Sequence, residues 1–233
     1  MFGCASLKPK PLRDGHEAYE GGDYDTALRL WKPLAEQGNA EAQFNIGAMY
    51  DAGQGVPADP VEALNWYRLA AAQDHAEACF NIGDSYRTGR GVKQDLAETV
   101  AWYQKAADLG NLKAQYALGL MTFTGQGVAQ DEQSGMEQIR SAAEGGYPDA
   151  QNTIGMAYYK GFGGYAKDEV EAVKWFRKAA KQGHLEAQYS LGMSYHYGIG
   201  VEEDEKEAAN WYQRAAVHGH ESSQTGLSRL GVS

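Results

Sequence analysis

A four-residue segment recurs through the chain at an almost fixed spacing. Its copies are Ala40-Glu41-Ala42-Gln43, Ala76-Glu77-Ala78-Cys79, Leu112-Lys113-Ala114-Gln115, Pro148-Asp149-Ala150-Gln151, Leu185-Glu186-Ala187-Gln188 and Glu221-Ser222-Ser223-Gln224. Their first residues are 36, 36, 36, 37 and 36 positions apart. A fixed period of this length is typical of a solenoid, in which each unit buries its apolar face against its neighbours. The repetition favours a binding scaffold over an enzyme.

Residues 40–75 illustrate one repeat. Apolar and small residues at helical spacing in its first part predict a helix, here called the A helix. The segment Gly53-Gln54-Gly55-Val56 ends this helix, because glycine readily adopts positive φ. Asp59 is the expected N-cap of a second helix, the B helix, with Pro60 in its first turn. The B helix carries the pair Trp66-Tyr67, which we expect to fill the space between hairpins.

The later repeats keep the same order of features. Each has a glycine loop, an aspartate cap and a B helix that closes on Ala-Ala and Gly. The caps are Asp95, Asp131, Asp168 and Asp204, and the aromatic pairs are Trp102-Tyr103, Trp175-Phe176 and Trp211-Tyr212. This pattern, A-x-A-Q-x-x-[IL]-G-x-x-Y-x-x-G-x-G-V followed by D…A…W-[YF]…A-A…G, closely resembles the Sel-one-like repeat family, a relative of the tetratricopeptide repeats. The resemblance covers roughly residues 13–230.

The resemblance implies an adaptor for other proteins, and bacterial members of the family are often periplasmic or secreted. We therefore predict an all-α fold, a right-handed α/α superhelical solenoid of about five full repeats plus terminal caps. The predicted organisation is an N-terminal tether at 1–12, then a single solenoid at 13–230 that consists of a cap at 13–39, repeats at 40–75, 76–111, 112–147, 148–184 and 185–220, and a terminal helix at 221–230.

The third repeat departs most from the pattern. Gly135 stands where other B helices have alanine, and Gln138 stands where they have tryptophan. A glycine inside a helix costs about 1 kcal/mol relative to alanine, and loss of a buried indole removes a few kcal/mol of burial. Two interpretations stay open: ordinary drift of the sequence, or a hinge in the middle of the array.

The composition limits the classes of function. The chain has 233 residues, of which 43% are hydrophobic, so it has enough apolar material for a core. Its formal net charge of −10 argues against nucleic-acid binding, because phosphate contacts require a basic surface. No apolar run of the sequence approaches the ~20 residues that cross a bilayer.

We predict different roles for the two cysteines. Cys79 occupies the glutamine column of an A helix and is expected to be a small packed side chain. The segment Gly3-Cys4-Ala5-Ser6 looks like the end of a bacterial lipoprotein signal, in which Cys4 becomes lipidated. The alternative is an accidental match, since the hydrophobic part of such a signal is missing. We expect a periplasmic protein, with a membrane anchor only at Cys4; the alternative is a cytoplasmic protein.

Sequence signatures of catalysis and of metal binding are incomplete. The stretch 16–20 begins like a zinc-protease motif but lacks its second histidine, and His218 with His220 is half a metal site. We interpret His75, His184 and His220 as residues of the turns between repeats. The sequence has no Ser-x-x-Lys motif. A cysteine-rich subgroup of the family is linked to penicillin binding, but its paired cysteines are absent here. We predict no catalytic residue, metal or cofactor.

The surface of the A helices is the predicted binding site. In the tetratricopeptide arrangement the A helices line the concave face, and several non-consensus positions there are aromatic or methionine. Such residues are preferred interface anchors, and an exposed apolar patch marks an interaction site. The alternative is that they pack between adjacent A helices as core. The predicted partner-binding residues are Phe80, Arg87, Tyr116, Leu120, Phe123, Met156, Tyr159, Lys160, Tyr189, Met193 and His196.

The predicted function is that of a non-catalytic, monomeric scaffold that binds a partner protein or peptide in its concave groove. Two alternatives stay open. By family analogy the chain could be a hydrolase that acts on peptidoglycan or β-lactams. It could also be a structural element of a larger assembly that uses the convex face formed by the B helices.

Overall fold

The structure is a computed structural model and describes residues 9–232. Helices and the turns between them make up this part of the chain, with no strand among the described residues. The helices are α1 (Lys10–Glu20), α2 (Tyr24–Glu36), α3 (Ala40–Ala52), α4 (Pro60–Ala71), α5 (Ala76–Thr88), α6 (Leu96–Asp108), α7 (Leu112–Thr124), α8 (Glu132–Glu144), α9 (Pro148–Lys160), α10 (Glu169–Lys181), α11 (Leu185–Tyr197), α12 (Glu205–Val217) and α13 (Glu221–Arg229). Odd-numbered helices are the A helices and even-numbered helices the B helices. The all-α prediction is confirmed for these residues.

The chain divides into two compact units, Met1–Ala114 and Gln115–Ser233, named here the N-terminal unit and the C-terminal unit. Helix α7 spans the boundary between them. In the N-terminal unit α1 packs on α2, α3 on α4 and α5 on α6, and each hairpin also packs on the next one. In the C-terminal unit α9 packs on α10 and α11 on α12, and α13 packs against α12. Within each unit, every hairpin therefore buries a face against its neighbour, as a repeat array requires.

An aspartate begins each B helix, α2 included, where the cap is Asp23. The carboxylate of Asp59 accepts hydrogen bonds from the backbone N–H groups of Val61 and Glu62, both at 3.0 Å. These first N–H groups have no partner inside the helix, so the cap fixes where the helix begins. The predicted caps that make the same contact are Asp95, Asp131, Asp168 and Asp204. The prediction of these caps is confirmed.

Histidine caps three of the A helices. Nδ1 of His75 accepts a hydrogen bond from the backbone N–H of Ala78 at 3.2 Å. His184 and His220 make the equivalent bond at the starts of α11 and α13. An Nδ1 atom that accepts a hydrogen bond carries no proton, so this geometry assigns the neutral tautomer with its proton on Nε2. The turn histidines are therefore structural groups that fix the ends of helices.

Asparagine plays the same part at the starts of α3 and α7, whereas Tyr147 before α9 makes no side-chain cap. The side-chain oxygen of Asn39 accepts the N–H of Ala42 at 2.8 Å, and Asn111 makes the same bond to Ala114. The Nε2 atoms of two capping histidines reach back toward the preceding A helix, and in His184 this atom lies 3.5 Å from Oδ1 of Asp149. In His220 it lies 3.1 Å from Oε1 of Glu186. The caps His184 and His220 thus also connect one hairpin to the next.

In four of the repeats, a glycine on the A helix faces a buried aromatic ring on its B helix. A Cβ atom on Gly83 would lie 2.6 Å from the ring of Tyr103, which is 2% exposed. The same pairing occurs between Gly47 and Tyr67, Gly155 and Phe176, and Gly192 and Tyr212. Any side chain larger than glycine at these positions would overlap the ring, so the glycine permits the two helices to enclose it.

The third repeat uses a different contact between its two helices. Ile139 replaces the aromatic ring. The carbonyl oxygen of Gly135 lies 2.9 Å from the position that a Cβ atom on residue 119 would occupy. A Cβ on Gly135 would lie 2.5 Å from the backbone nitrogen of Phe123. Because Ile139 is smaller than a ring, α7 and α8 approach each other closely and leave no room for a side chain at 135. Gly135 is therefore a packing contact, which the sequence alone did not indicate.

Candidate functional site

Two A helices of the C-terminal unit, α9 and α11, enclose a small apolar recess. Met156 and Tyr159 come from α9, and Tyr189 and Met193 come from α11; all four are half-buried. Each packs one side against the buried core of its hairpin and leaves another accessible. The recess has a volume of about 160 Å³, and its lining is Met156, Tyr159, Phe176, Tyr189, Ser190, Met193, Ser194 and Ile199. We call this the apolar recess.

A second recess lies on the other side of Tyr189 and Met193, which line both. It has a volume of about 170 Å³ and extends to α13. The lining is Tyr189, Met193, His196, Tyr197, Tyr212, Ser222, Thr225, Gly226 and Arg229, and we call it the polar recess. The structure therefore brings four predicted residues together in one recess and places His196 in the adjoining one.

His196 is held in place by two aromatic neighbours. Its ring stacks on Tyr197 with the ring centroids 4.2 Å apart and the planes at 9°. Its Nδ1 atom lies 3.4 Å from the hydroxyl of Tyr212. Burial raises the pKa of Tyr212, so that hydroxyl stays protonated and can donate to the imidazole. The orientation of His196 in the polar recess is thereby fixed.

The predicted residues on α7 line neither recess. The hydroxyl of Tyr116 lies 3.1 Å from Oγ1 of Thr153 on α9, and burial raises the pKa of this tyrosine. Phe123 is half-buried and packs against the core that contains Met136. Leu120 is 36% exposed. Phe123 therefore serves the core to a larger extent than the sequence pattern predicted, while Leu120 stays accessible.

Two predicted residues belong to the N-terminal unit, where each has an intramolecular partner. The ring of Phe80 stacks on Tyr103 with centroids 5.1 Å apart, and the ammonium group of Lys113 lies 4.6 Å from the Phe80 ring. Nη2 of Arg87 lies 2.6 Å from a carboxylate oxygen of Asp84. Side-chain hydrogen bonding to Asp84 raises the pKa of Arg87. The exposed guanidinium of Arg87 is thus already engaged by a carboxylate.

Lys160, the last residue of α9, is exposed and lines neither recess. Sequence reasoning missed the other lining residues of the recesses, among them Phe176, Ile199 and Arg229. Phe176 belongs to a B helix, and Ile199 lies between two loop glycines. Thr225 and Arg229 had a usable signal, because they lie 36 residues after Tyr189 and Met193 and so continue predicted columns into the terminal helix.

Cys79 is a buried free thiol. Burial raises the pKa of this thiol, which disfavours the reactive thiolate, so its predicted packing role is confirmed. Cys4, the predicted lipidation site, lies outside the described residues. Within residues 9–232, no helix combines the length and the apolarity required to span a bilayer. The same residues hold no group of three or more His, Cys, Asp or Glu side chains arranged to bind a metal ion.

The repeats and the fold are shared with known proteins. The Sel1 repeat model matches residues 13–39, 40–75, 76–111, 112–147, 148–184 and 185–220. A Sel1 repeat protein from Oxalobacter formigenes is 36% identical, with a TM-score of 0.87 over 95% of this chain and 92% of that one. Among curated proteins, none matches the sequence.

A second solved structure is a protective antigen of uropathogenic Escherichia coli strains with the same repeat fold. It is 32% identical, with a TM-score of 0.78 over 92% of this chain, which spans only 46% of the antigen. The immunity protein PA5088 from Pseudomonas aeruginosa is 19% identical and shares the fold alone, with a TM-score of 0.63 over 93% of this chain and 84% of that one. These matches confirm the predicted all-α solenoid of hairpin repeats. The chain belongs to the Sel1 repeat family.

Proposed function

We propose that the C-terminal unit binds an extended segment of a partner protein through the apolar recess and the polar recess. Sel1 repeat proteins are generally scaffolds for protein interaction and typically non-enzymatic. The observation that carries the proposal is the apolar recess itself, where Met156, Tyr159, Tyr189 and Met193 converge from two helices. A recess of this size accepts one apolar side chain, since a cavity of about 150 Å³ holds a benzene ring.

The chemistry of the lining supports a protein partner. Tyrosine and methionine are enriched at the centres of protein interfaces, and methionine adapts its shape to different apolar side chains. Tyr159 and Tyr189 each carry an apolar ring and a hydroxyl, so they can cover a side chain of the partner and also bond to its backbone. The protein acts, in this proposal, as a non-catalytic adaptor.

Site-specific photo-cross-linking tests the proposal. A photoreactive phenylalanine analogue replaces Met156 or Ser190 in the recess, and Lys174 or Gln213 on the exposed side of the B helices serves as the comparison. We expect partner adducts in native extracts from the recess positions alone. Adducts from the B-helix positions alone would instead support the alternative of a structural element that uses its convex face.

Matched charge substitutions test whether the recess, and not the surface charge in general, determines binding. Met193→Glu places a carboxylate in the apolar recess, whereas Val217→Glu places one at a position that is 70% exposed on α12. We expect Met193→Glu to abolish adduct formation and Val217→Glu to preserve it. Equal yields from both variants would contradict the proposal.

We also propose an envelope location, supported by the segment Gly3-Cys4-Ala5-Ser6. If Cys4 is lipidated, the gene product expressed in a Gram-negative host should fractionate with membranes and incorporate labelled palmitate. Cys4→Ser should remove the label and release the protein from the membrane fraction. Cytosolic fractionation of the unmodified product would refute this location.

A further inference from the structure

A cleft lies between α8 and the loop that joins α9 to α10. Its volume is about 870 Å³, compared with about 160 Å³ for the apolar recess. Side chains of α8 form one wall, residues 163–168 form the other, and Tyr158 of α9 completes the lining. We call it the loop cleft. It shares no lining residue with the apolar recess or the polar recess, so it is a separate site.

The cleft exists because this loop meets the preceding B helix at a later position than the equivalent loops do. A Cβ on Gly91 would overlap the carbonyl oxygen of Pro60, the first residue of α4, and Gly200 packs in the same way on the first residue of α10. At the equivalent Gly163, a Cβ would lie 2.7 Å from Cγ of Met136, the fifth residue of α8. The loop therefore passes about one turn further along α8 and leaves the start of that helix exposed.

The composition of this loop adds an aromatic wall to the cleft. Tyr165 lies three residues before the helix cap, where the equivalent loops have valine. Its ring meets the ring of Tyr158 edge-on, with the centroids 4.7 Å apart and the planes at 70°, and both side chains are half-buried. Aromatic rings attract cations to their faces, and the apolar stems of lysine and arginine pack along apolar surface. The two tyrosines therefore favour a basic side chain.

The two cations that line the cleft already have carboxylate partners. Nε of Arg140 lies 2.9 Å from Oε1 of Glu144, and Nζ of Lys167 lies 2.8 Å from Oε1 of Glu169. An anionic ligand would have to compete with these carboxylates for the same donors. The cleft is therefore poorly suited to an anion.

Two carboxylates of α8 that line the cleft have no cationic partner. Glu132 and Glu137 are exposed, and neither forms an ion pair with any of residues 9–232. Oε1 of Glu137 accepts a hydrogen bond from Nε2 of Gln133 at 3.0 Å, which orients the carboxylate without neutralising its charge. The cleft thus combines uncompensated negative charge with aromatic rings.

These features indicate a basic chain segment as the occupant. A metal ion would require three or more converging ligand side chains, which the described part of the chain does not provide. A lysine or arginine side chain carries its charge at the end of an apolar stem, so it can meet the carboxylates and the rings together. Since a cavity of about 150 Å³ already holds a benzene ring, the loop cleft has room for more than one side chain.

We propose that the loop cleft binds a lysine- or arginine-containing segment of a partner protein. The cationic groups lie beside Glu132 and Glu137, and the apolar stems pack against Tyr158 and Tyr165. The inference goes beyond the proposed function, because it concerns a surface that neither recess includes.

Two immobilised peptide mixtures test the inference. Both are acetylated and randomised among uncharged residues, except at two adjacent central positions, which are lysine in one mixture and norleucine in the other. Norleucine keeps the apolar stem and lacks the ammonium group. At low salt we expect the lysine mixture to capture the purified protein roughly tenfold better, the effect of one charge-assisted interaction.

Paired substitutions locate the carboxylates that are responsible. Glu132→Gln combined with Glu137→Gln should remove the advantage of the lysine mixture. Glu203→Gln combined with Glu205→Gln is the matched control, because it removes the same net charge at exposed positions around the start of α12, and it should keep that advantage. Met193→Glu, which alters the recesses, should also keep it.

Every other result would overturn the inference. Equal capture by the two mixtures, or capture by neither, would show that the cleft does not select a cation. Full capture of the lysine mixture after substitution of Glu132 and Glu137 would show that other groups bind the cation. An equal loss in the two double variants would show that the peptides respond to the net charge of the protein, and a loss in Met193→Glu would place them in the recesses. Photo-cross-linking in native extracts judges the proposed function separately, so the two can fail independently.

Discussion

The A helices of the two units place different side chains at equivalent repeat positions. In the N-terminal unit, Asp84 and Arg87 pair with each other at 2.6 Å, and Arg90 pairs with Asp51 at 3.3 Å. On α9 and α11 of the C-terminal unit, the positions of Asp84 and Arg87 hold methionine, tyrosine or histidine, which line the two recesses. At these positions the N-terminal unit pairs opposite charges with each other, and α9 and α11 leave apolar side chains partly accessible.

This difference separates the residues that build the repeat from those that give it a function. The aspartate caps and the glycine–ring pairs recur in both units and hold each hairpin in the same form. The positions that differ adjoin these contacts on the A helices, since Asp84 is next to Gly83 and Arg87 lies one turn further along. A repeat array can therefore keep its fold while its surface changes from unit to unit.

The largest expected effect tests whether the two units have equivalent cores. Tyr103→Ala in the N-terminal unit and Phe176→Ala in the C-terminal unit each remove a ring that is 2% exposed. We expect each substitution to lower the free energy of unfolding by about 3–5 kcal/mol, measured by urea denaturation. A large loss of unfolding free energy for one variant and a loss of less than about 1 kcal/mol for the other would show that the cores of the two units are not equivalent.

The next effect tests whether the surfaces differ in binding. Tyr159→Ala truncates a wall of the apolar recess, and loss of such an anchor typically costs 2 kcal/mol or more, so affinity for the cross-linked partner should fall roughly thirtyfold. Arg87→Ala, at the equivalent position of the N-terminal unit, should leave the affinity unchanged. Isothermal titration with the purified partner measures both.

Thermal unfolding provides the control for Tyr159→Ala. Trp175 is 5% exposed and belongs to a core cluster, so Trp175→Ala should lower the melting temperature strongly whether or not a partner is present. Tyr159 is only half-buried, and its truncation should lower the melting temperature less. Equal decreases for the two variants would mean that Tyr159 is core and that the predicted binding surface is wrong at this position.

A smaller effect tests the contact that replaces the glycine–ring pair in the third repeat. Ala is normally favoured over Gly inside a helix by about 1 kcal/mol. At Gly135 a Cβ would meet the backbone of Phe123, and such overpacking costs about 1–3 kcal/mol. The net expectation for Gly135→Ala is a loss of about 1 kcal/mol in unfolding free energy, where propensity alone predicts a gain.

Gly145→Ala is the matched control, because Gly145 lies at the end of the same helix with φ of −66° and is exposed. It should be neutral or slightly stabilising in the same urea measurement. If Gly135→Ala also stabilises the protein, then α7 and α8 can move apart, and the close contact between them does not constrain this repeat.

Features that depend on local chemistry could be predicted from the sequence. The period, the aspartate caps and the closing glycines follow from backbone requirements that a single residue meets. The pairing of Arg87 with Asp84 was also accessible, since the two residues are three apart on one helix. The capping role of His75 had a signal as well, because Asn39 and Asn111 occupy the same column and asparagine is a preferred N-cap.

Features that depend on how hairpins meet could not be predicted in the same way. Phe176 and Ile199 reach the apolar recess from a B helix and from a loop, and no spacing along the chain places them beside Met156. The role of Gly135 follows from the size of Ile139, which lies one turn further along α8 and faces Gly119 on α7. Packing in three dimensions determines these contacts, and a repeat pattern does not show which residues pack against each other.

The smallest expected effect concerns the histidine cap of the N-terminal unit and its dependence on pH. Burial lowers the pKa of His75, an effect that the nearby carboxylates of Glu77 and Glu41 oppose only in part. The unfolded chain therefore takes up a proton at His75 before the folded protein does. The stability provided by the neutral cap is fully present above the unfolded pKa of about 6.5 and is lost as pH falls from there toward the lower folded pKa.

His75→Asn isolates this contribution, because asparagine caps helices well, as Asn39 does here, and does not titrate. Near pH 8 the two proteins should have unfolding free energies within about 0.5 kcal/mol of each other. Between about pH 7 and pH 5 the unmodified protein should lose more stability than His75→Asn. Urea denaturation of both proteins across this range gives the difference, in which all other titrating groups cancel. Parallel curves would mean that protonation of His75 does not disturb the cap, and that the imidazole is held by packing and not by the bond from Ala78 to its Nδ1 atom.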